Sequence, residues 1–86
     1  MDWKAETKLR FAAHLTELME AYAKAHPEEK NSLRAFAARS GLEYSHVQRI
    51  LKGKVDVAMT TLFLLASGLK ISPNELLNFN NTSEKN

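Results

Sequence analysis

The chain of 86 residues carries a formal net charge of +2 and has no cysteine, so a disulfide framework and a cysteine-based zinc site are excluded. Apolar residues, 44% of the total, suffice for one small core but form no run of membrane-spanning length. The opening stretch MDWKAETK lacks the apolar segment of a signal peptide. We therefore expect a cytoplasmic protein without a membrane segment, with a single domain over residues 1–79 and a disordered polar tail over residues 80–86.

The positive charge is concentrated in the middle of the chain. Residues 31–56 hold five basic and two acidic residues, net +3, whereas residues 1–30 hold five basic and six acidic residues, net −1. From Tyr44 to Lys54 there are three positive charges and no negative one. Such a basic surface is typical of phosphate binding, although an ordinary solvated helix face can have the same composition.

The first predicted helix runs from about Thr7 to Ala25. Its apolar residues recur at helical spacing and form one stripe: Phe11, Leu15, Leu18 and Tyr22. Pro27 ends the helix, because proline lacks an N–H and disfavours helical conformation in the residue before it. A polar connection, HPEEKN, follows.

The second predicted helix begins after Ser32, whose hydroxyl can cap it, and runs to about Ser40. Three of its residues are expected to face inward: Leu33, Phe36 and Ala37. Gly41 comes next, where a chain leaving a helix often needs a positive φ.

The third predicted helix runs from about Tyr44 to Lys52 and has two distinct sides. Its apolar side consists of Val47, Ile50 and Leu51. The opposite side consists of Ser45, Gln48, Arg49 and Lys52, spaced as one outward stripe.

Two further helices complete an all-α chain. The segment MTTLFLLASGL is apolar almost all round, which predicts a central buried helix. In SPNELL, Ser72 is the expected cap, Pro73 takes the first helical position and Glu75 completes a capping box. No repeat and no useful stretch of strand-like alternation occurs.

The middle of the sequence contains Ala37, Gly41, Val47 and Ile50, followed by Gly53-Lys54. In these residues it resembles the lambda-repressor/Cro (XRE-type) helix-turn-helix family. A small residue at 37 and a glycine at 41 suit two helices that cross closely through a short turn. The resemblance extends from about Phe11 to Asn78 and implies a five-helix, lambda-repressor-like DNA-binding domain, with the helix-turn-helix formed by the second and third helices.

Some positions depart from the family pattern. Leu33 stands where the family usually has glutamine or a similar polar residue, a position that often touches phosphate. Glu43 and Ala58 occupy places where a serine or threonine cap is common, and Leu51 stands where glutamate is frequent.

The resemblance implies that the third helix enters the major groove and that four residues read bases: Tyr44, Ser45, Gln48 and Arg49. Arg49 can pair the two acceptors of a guanine, or it is a solvated side chain. Tyr44 can contact a base or cover the edge of the core. Gln48 can pair an adenine or simply favour the helix.

Four residues are expected to contact phosphates instead: Ser32, His46, Lys52 and Lys54. Ser32 lies beside the amides that open the second helix. Lysine suits the DNA backbone because it is a point charge on a flexible stem. For His46 the alternative is an exposed residue without a ligand.

No residue pattern predicts a metal, a cofactor or a catalytic centre. His14, His26 and His46 lack metal-ligand spacing, and His14 with Glu17 is expected to be an ordinary surface pair. There is no glycine-rich phosphate loop and no histidine–nucleophile arrangement, so we do not expect an enzyme. Trp3 and Phe79 are expected to cover a small core or, alternatively, to form a partner surface.

These features predict a sequence-specific transcriptional regulator that binds double-stranded DNA. One module of this size buries little DNA surface, so a homodimer on a two-fold operator is expected. By resemblance, an antitoxin that represses its own operon or a restriction-modification controller fits equally well. The alternative is a helical protein-interaction module that has the same fold without DNA binding, which an exposed apolar patch in place of the basic stripe would favour.

Overall fold

The computed structural model describes residues 2–79, which form five helices and contain no strand. The helices are α1 (Trp3–Ala25), α2 (Leu33–Ser40), α3 (Tyr44–Leu51), α4 (Met59–Leu69) and α5 (Pro73–Leu76). This arrangement confirms the predicted all-α class and the order of its helices. The tail predicted over residues 80–86 lies outside the described part of the chain.

The first helix starts earlier than the sequence pattern predicted, at Trp3 rather than near Thr7. Asp2 is the cause, because its carboxylate accepts a hydrogen bond from the backbone N–H of Lys4 at 3.0 Å and so caps the helix. The added turn lies beyond the apolar stripe. Its residue Trp3 remains 63% exposed, so Trp3 does not cover the core.

The core is assembled from the predicted stripes. The largest fully buried side chains come from all the helices: Leu15, Phe36, Val47, Ile50, Leu65 and Leu76. Phe11 and Tyr22 of α1 are also buried, while Leu33 of α2 packs against the cluster from its edge. Phe79 does cover the core, because its ring meets Phe11 edge-on at 5.8 Å between centroids.

The prediction that α4 is buried all round is wrong for one side of the helix. Leu65, Ala66 and Leu69 are buried as expected. Met59 and Phe63, however, are 73% and 58% exposed, and Leu64 is 40% exposed. Within residues 2–79 no further layer covers this side, so a mostly apolar helix leaves an apolar surface exposed.

The ends of the short helices follow their local chemistry. The Ser32 hydroxyl accepts from the N–H of Ala35 at 3.1 Å, and the Ser72 hydroxyl accepts from the N–H of Glu75 at 3.1 Å. Pro73 occupies the first turn of α5. These two serine caps and the proline position are as predicted.

His14 also has contacts outside its own helix. The Nε2 atom of His14 lies 3.2 Å from the carbonyl oxygen of Glu75, and the His14 ring stacks on Phe79. It therefore joins α1 to α5. Within residues 2–79, no cluster of histidine and carboxylate side chains could hold a metal ion, and no helix is long and apolar enough to cross a membrane.

Candidate nucleic-acid interface

A three-residue turn joins α2 to α3 and fixes the angle between them. Gly41 has φ 73° and ψ 27°, the left-handed conformation predicted for it. Its N–H donates to the carbonyl oxygen of Ala38 at 3.1 Å, and the N–H of Leu42 donates to that of Ala37 at 2.9 Å. Ala37 is buried against the crossing, where its small side chain lets the two helices approach.

The third helix is held by one side and free on the other. Val47 and Ile50 are 0% and 1% exposed, so they anchor α3 on the core. Ser45 and Arg49, one turn apart, are exposed on the opposite side. A rigidly anchored helix with a polar outward stripe is the arrangement that a recognition helix requires.

Tyr44 stands at the start of α3 and contacts side chains from both helices of the motif. It is half-buried, and the guanidinium carbon of Arg34 lies 4.0 Å from its ring centroid. The amide Nε2 of Gln48 donates to the Tyr44 hydroxyl at 3.3 Å. Two of the predicted base-reading residues therefore form one hydrogen-bonded unit, with Arg34 stacked on it.

Arg34 was not placed in this group from the sequence, because the sequence does not show how close a residue of α2 lies to α3. It was counted only as one of five basic residues. The stack brings the first turn of α2, which Ser32 caps, next to the first turn of α3. The useful signal was its place two residues after a helix cap and three residues before the small Ala37.

The cations of this region are not neutralised by carboxylates. Elsewhere among the described residues, Lys8 pairs with Asp56, Arg10 with Glu6, and Lys70 with Glu29. Within residues 2–79 no ion pair involves Arg34 of α2, Arg49 of α3, or Lys52 and Lys54 at and after the end of α3. Their charge is available to an anionic ligand.

Arg39 is the exception in the basic segment, since its side chain is used within the fold. Its guanidinium donates to the carbonyl oxygens of Gly68 at 3.3 Å and Lys30 at 3.1 Å. It also lies 4.2 Å from the ring centroid of Tyr22. Arg39 therefore ties α1, α2 and α4 together and does not contribute to the free charge.

The residues predicted to contact phosphate lie at both ends of α3. Ser32 is exposed at the start of α2, close to the amino-terminal end of α3 through the Arg34 stack. Lys52 is the C-cap of α3, and Lys54 follows it; both are exposed. His46 is half-buried beside Ser45. An eight-residue helix is about 12 Å long, so these groups flank the reading face on two sides.

The departures from the family pattern have visible structural effects. Leu33 packs against the core and offers no polar group at the start of α2. Glu43 and Ala58 occupy the N-cap positions of α3 and α4, and neither side chain forms a cap hydrogen bond. Leu51 also packs against the core, where the family's frequent glutamate would be unsuited.

Comparisons with known proteins agree with this geometry. The profile of the helix-turn-helix family matches residues 28–76, more than half of the chain, including α2, the turn and α3. The fold is also similar to the crystal structure of the restriction-modification controller protein C.AhdI from Aeromonas hydrophila. The TM-score is 0.66 at 28% sequence identity, over 83% of this chain and 97% of that one. A search of curated proteins finds no match. The chain belongs to the helix-turn-helix family of the lambda-repressor/Cro (XRE) type, and it is a DNA-binding transcriptional regulator.

Proposed function

We propose that this regulator recognises a specific operator by placing α3 in the major groove of double-stranded DNA. The observation that carries the proposal is the division of α3 into a fully buried side, Val47 and Ile50, and an exposed polar side with Ser45 and Arg49. In this reading, four residues contact base edges: Tyr44, Ser45, Gln48 and Arg49. Because Arg49 has no carboxylate partner within residues 2–79, its fork is free to pair the two acceptors of a guanine.

Backbone contacts would come from the groups around α3, namely Ser32, His46, Lys52 and Lys54. Lys52 and Lys54 are exposed point charges at one end of the helix. Ser32 lies at the other end, beside the free amides that begin α2. Contacts on both sides would fix the depth and angle of α3 in the groove, which phosphate contacts do without reading sequence.

The second part of the proposal is a homodimer. Met59, Phe63 and Leu64 of α4 are exposed, and Leu77, just after α5, is 50% exposed. This apolar surface is separate from the cationic α3, so it does not replace the basic stripe as the interaction-module hypothesis requires. A second copy packed on it would double the DNA contacts and explain an apolar surface that the single chain leaves uncovered.

We further propose control of restriction-modification genes as the biological role, with no catalytic activity and an action in the cytoplasm. Support comes from the similarity to C.AhdI, which spans nearly the whole of that controller protein. An antitoxin role, which the sequence resemblance fitted equally well, has no comparable support. The homodimer and the operator arrangement rest on the faces of α3 and α4 and do not depend on this role.

Selection of bound fragments from a random duplex library tests the DNA proposal. We expect enrichment of a two-fold motif with half-sites about one helical turn apart, roughly 10–10.5 bp. The logarithm of the affinity for a selected duplex should fall linearly with the logarithm of the salt concentration, with a slope of about −0.9 per phosphate contact. Enrichment of no motif, together with salt-insensitive binding, would overturn the proposal.

Analytical ultracentrifugation tests the dimer. Phe63→Glu places a charge on the apolar side of α4 and should shift the protein from dimer to monomer. Ala5→Glu, on the exposed start of α1, is the matched control and should leave the dimer intact. A wild-type protein that remains monomeric on its selected duplex would exclude the two-fold arrangement.

A further inference from the structure

The guanidinium of Arg34 stacks on an aromatic ring and has no hydrogen-bond acceptor among residues 2–79. It lies 4.0 Å from the centroid of the Tyr44 ring, and the residue is exposed. Within residues 2–79 no hydrogen bond or ion pair involves its side chain. A guanidinium stacked on an aromatic ring keeps its N–H donors at its edge, where they can still meet an anion. Arg34 is therefore ordered before any ligand binds, and its donors remain free.

Arg39 is an arginine of the same fold whose guanidinium both stacks on a ring and donates hydrogen bonds. It stacks on Tyr22 at 4.2 Å, much as Arg34 stacks on Tyr44. The donors of Arg39, however, reach the carbonyl oxygens of Gly68 and Lys30. The two arginines lie five residues apart in the sequence and use the same kind of stack, yet only one of them has its donors satisfied by the protein.

The location of Arg34 suggests the missing acceptor. It follows directly after Leu33, which packs against the core and presents no polar group. It lies two residues after the cap Ser32 and is stacked on the residue that opens α3. In a helix-turn-helix, the first helix of the motif crosses the DNA backbone while the second enters the groove. An acceptor at this place would be a phosphate oxygen.

We propose that Arg34 is an additional DNA-binding residue, which donates to a backbone phosphate from α2 and supplies the contact that Leu33 cannot make. The ring of Tyr44 is its platform. The planar fork matches two phosphate oxygens, and the stack lowers the conformational entropy lost when that contact forms. This inference rests on the proposed entry of α3 into the major groove.

The platform also connects Arg34 to the base-reading residues. Tyr44 accepts a hydrogen bond from Gln48, so one ring supports a phosphate donor on one helix and orients an amide on the other. Through this connection the position of α2 on the backbone is linked to the position of the Gln48 amide over the base edges. Arg34 itself contacts only the backbone, so it should strengthen binding to all duplexes alike.

Fluorescence anisotropy over a range of salt concentrations tests the inference, with a selected duplex and an unrelated duplex of equal length. Arg34→Ala should weaken binding to both duplexes several-fold and lower the slope of log affinity against log salt by about 0.9. Arg34→Lys keeps the charge and should retain the slope, while losing part of the affinity because the planar fork is gone. Tyr44→Phe keeps the ring and should also retain the slope.

Lys24→Ala is the matched control, because it removes an exposed positive charge from the far end of α1. It should leave the slope unchanged, and circular dichroism should show the same melting temperature for Arg34→Ala and wild type within about 2 °C. If Arg34→Ala keeps the wild-type slope while Lys52→Ala lowers it, the role of Arg34 is refuted and the proposed function stands. If the wild-type protein itself shows no salt-dependent binding, the proposed function fails instead.

Discussion

Gly68 of α4 and Ser40 of α2 lie so close together that no larger residue fits at position 68. A Cβ on Gly68 would fall on the Ser40 hydroxyl and lie 3.2 Å from the Ser40 Cα. Both residues are buried. This contact allows α4 to pack tightly along α2, and α2 in turn carries the turn that positions α3. The depth of the crossing therefore depends on two small residues.

Gly68→Ala should destabilise the protein. Alanine gains about 1 kcal/mol over glycine from helix propensity, but overpacking a tight contact costs about 1–3 kcal/mol, so we expect a net loss of about 1 kcal/mol. Urea unfolding measures this loss as a change in the free energy of unfolding. The loss should shrink in a Ser40→Ala background, since the hydroxyl that the new methyl group meets is then absent. An equal loss of stability in both backgrounds would show that the new methyl group at position 68 does not meet the Ser40 hydroxyl.

Ser40→Ala alone should stabilise the protein. Within residues 2–79 the Ser40 hydroxyl is buried and has no hydrogen-bond partner. Leaving such a group unpaired costs about 1–3 kcal/mol, and alanine also favours the helix, so the gain should be about 1 kcal/mol. Thermal unfolding should show a raised Tm. Ser67→Ala, on an exposed position of α4, is the control and should change the Tm little.

The glycines differ in how much of their role the local sequence determines. Gly41 was assigned a positive φ because the motif spacing requires a sharp exit from a helix, and it has φ 73°. The close approach at Gly68 was not anticipated, because it depends on how α4 crosses α2, and no local pattern encodes that crossing. Lys70, which ends α4 with φ 58°, was missed for a different reason: lysine gives no signal for a left-handed cap.

The site divides in the same way. The buried and exposed sides of α3 follow from its periodicity, so Val47, Ile50 and Arg49 could be assigned from the sequence. The stack of Arg34 on Tyr44 joins residues ten positions apart on two helices, and it follows from the crossing angle. The prediction that α4 is buried all round failed for a related reason, since an apolar sequence does not tell which sides of a helix the rest of the fold covers.

Gly41→Ala and Gly53→Ala should differ in cost although both residues have a positive φ. A Cβ at Gly41 meets nothing within 4 Å, so its substitution costs only the left-handed strain, about 1–2 kcal/mol. A Cβ at Gly53, with φ 70°, lies 2.7 Å from Leu9 Cδ2 and 3.1 Å from Leu9 Cα. Gly53→Ala should therefore cost more in urea unfolding. In a Leu9→Ala background the loss of stability caused by Gly53→Ala should become smaller, whereas the loss caused by Gly41→Ala should not change.

The Tyr22–Glu29 hydrogen bond should make stability depend on pH in the acid range. The Tyr22 hydroxyl donates to the Glu29 carboxylate at 2.6 Å and lowers the pKa of Glu29, with a smaller contribution from the Lys70 ammonium. A lowered folded pKa stabilises the protein above the ordinary glutamate value of about 4.3, and the effect is lost as the pH falls through the folded value.

The comparison is between wild type and Tyr22→Phe in urea at pH 7, 5 and 3.5. Wild type should be more stable than Tyr22→Phe at pH 7 and pH 5. The difference between their free energies of unfolding should narrow at pH 3.5. Glu28→Gln, which changes the neighbouring exposed carboxylate, should show no such narrowing. A constant difference between wild type and Tyr22→Phe at all three pH values would show that the hydroxyl acts independently of the charge on Glu29.

The final prediction separates base reading from backbone binding on α3. Arg49 lies one turn beyond Ser45 on the exposed side of the helix, whereas Lys54 follows the helix end. Arg49→Ala should cost about 1–3 kcal/mol on the selected operator and relax the choice at one base pair, because the guanine-pairing fork is lost. Lys54→Ala should weaken all duplexes similarly and lower the salt slope by about 0.9. Repeating the selection with each variant distinguishes the two effects. An unaltered motif with Arg49→Ala would mean that α3 docks with another face toward the bases, even if Lys54 still contributes its phosphate contact.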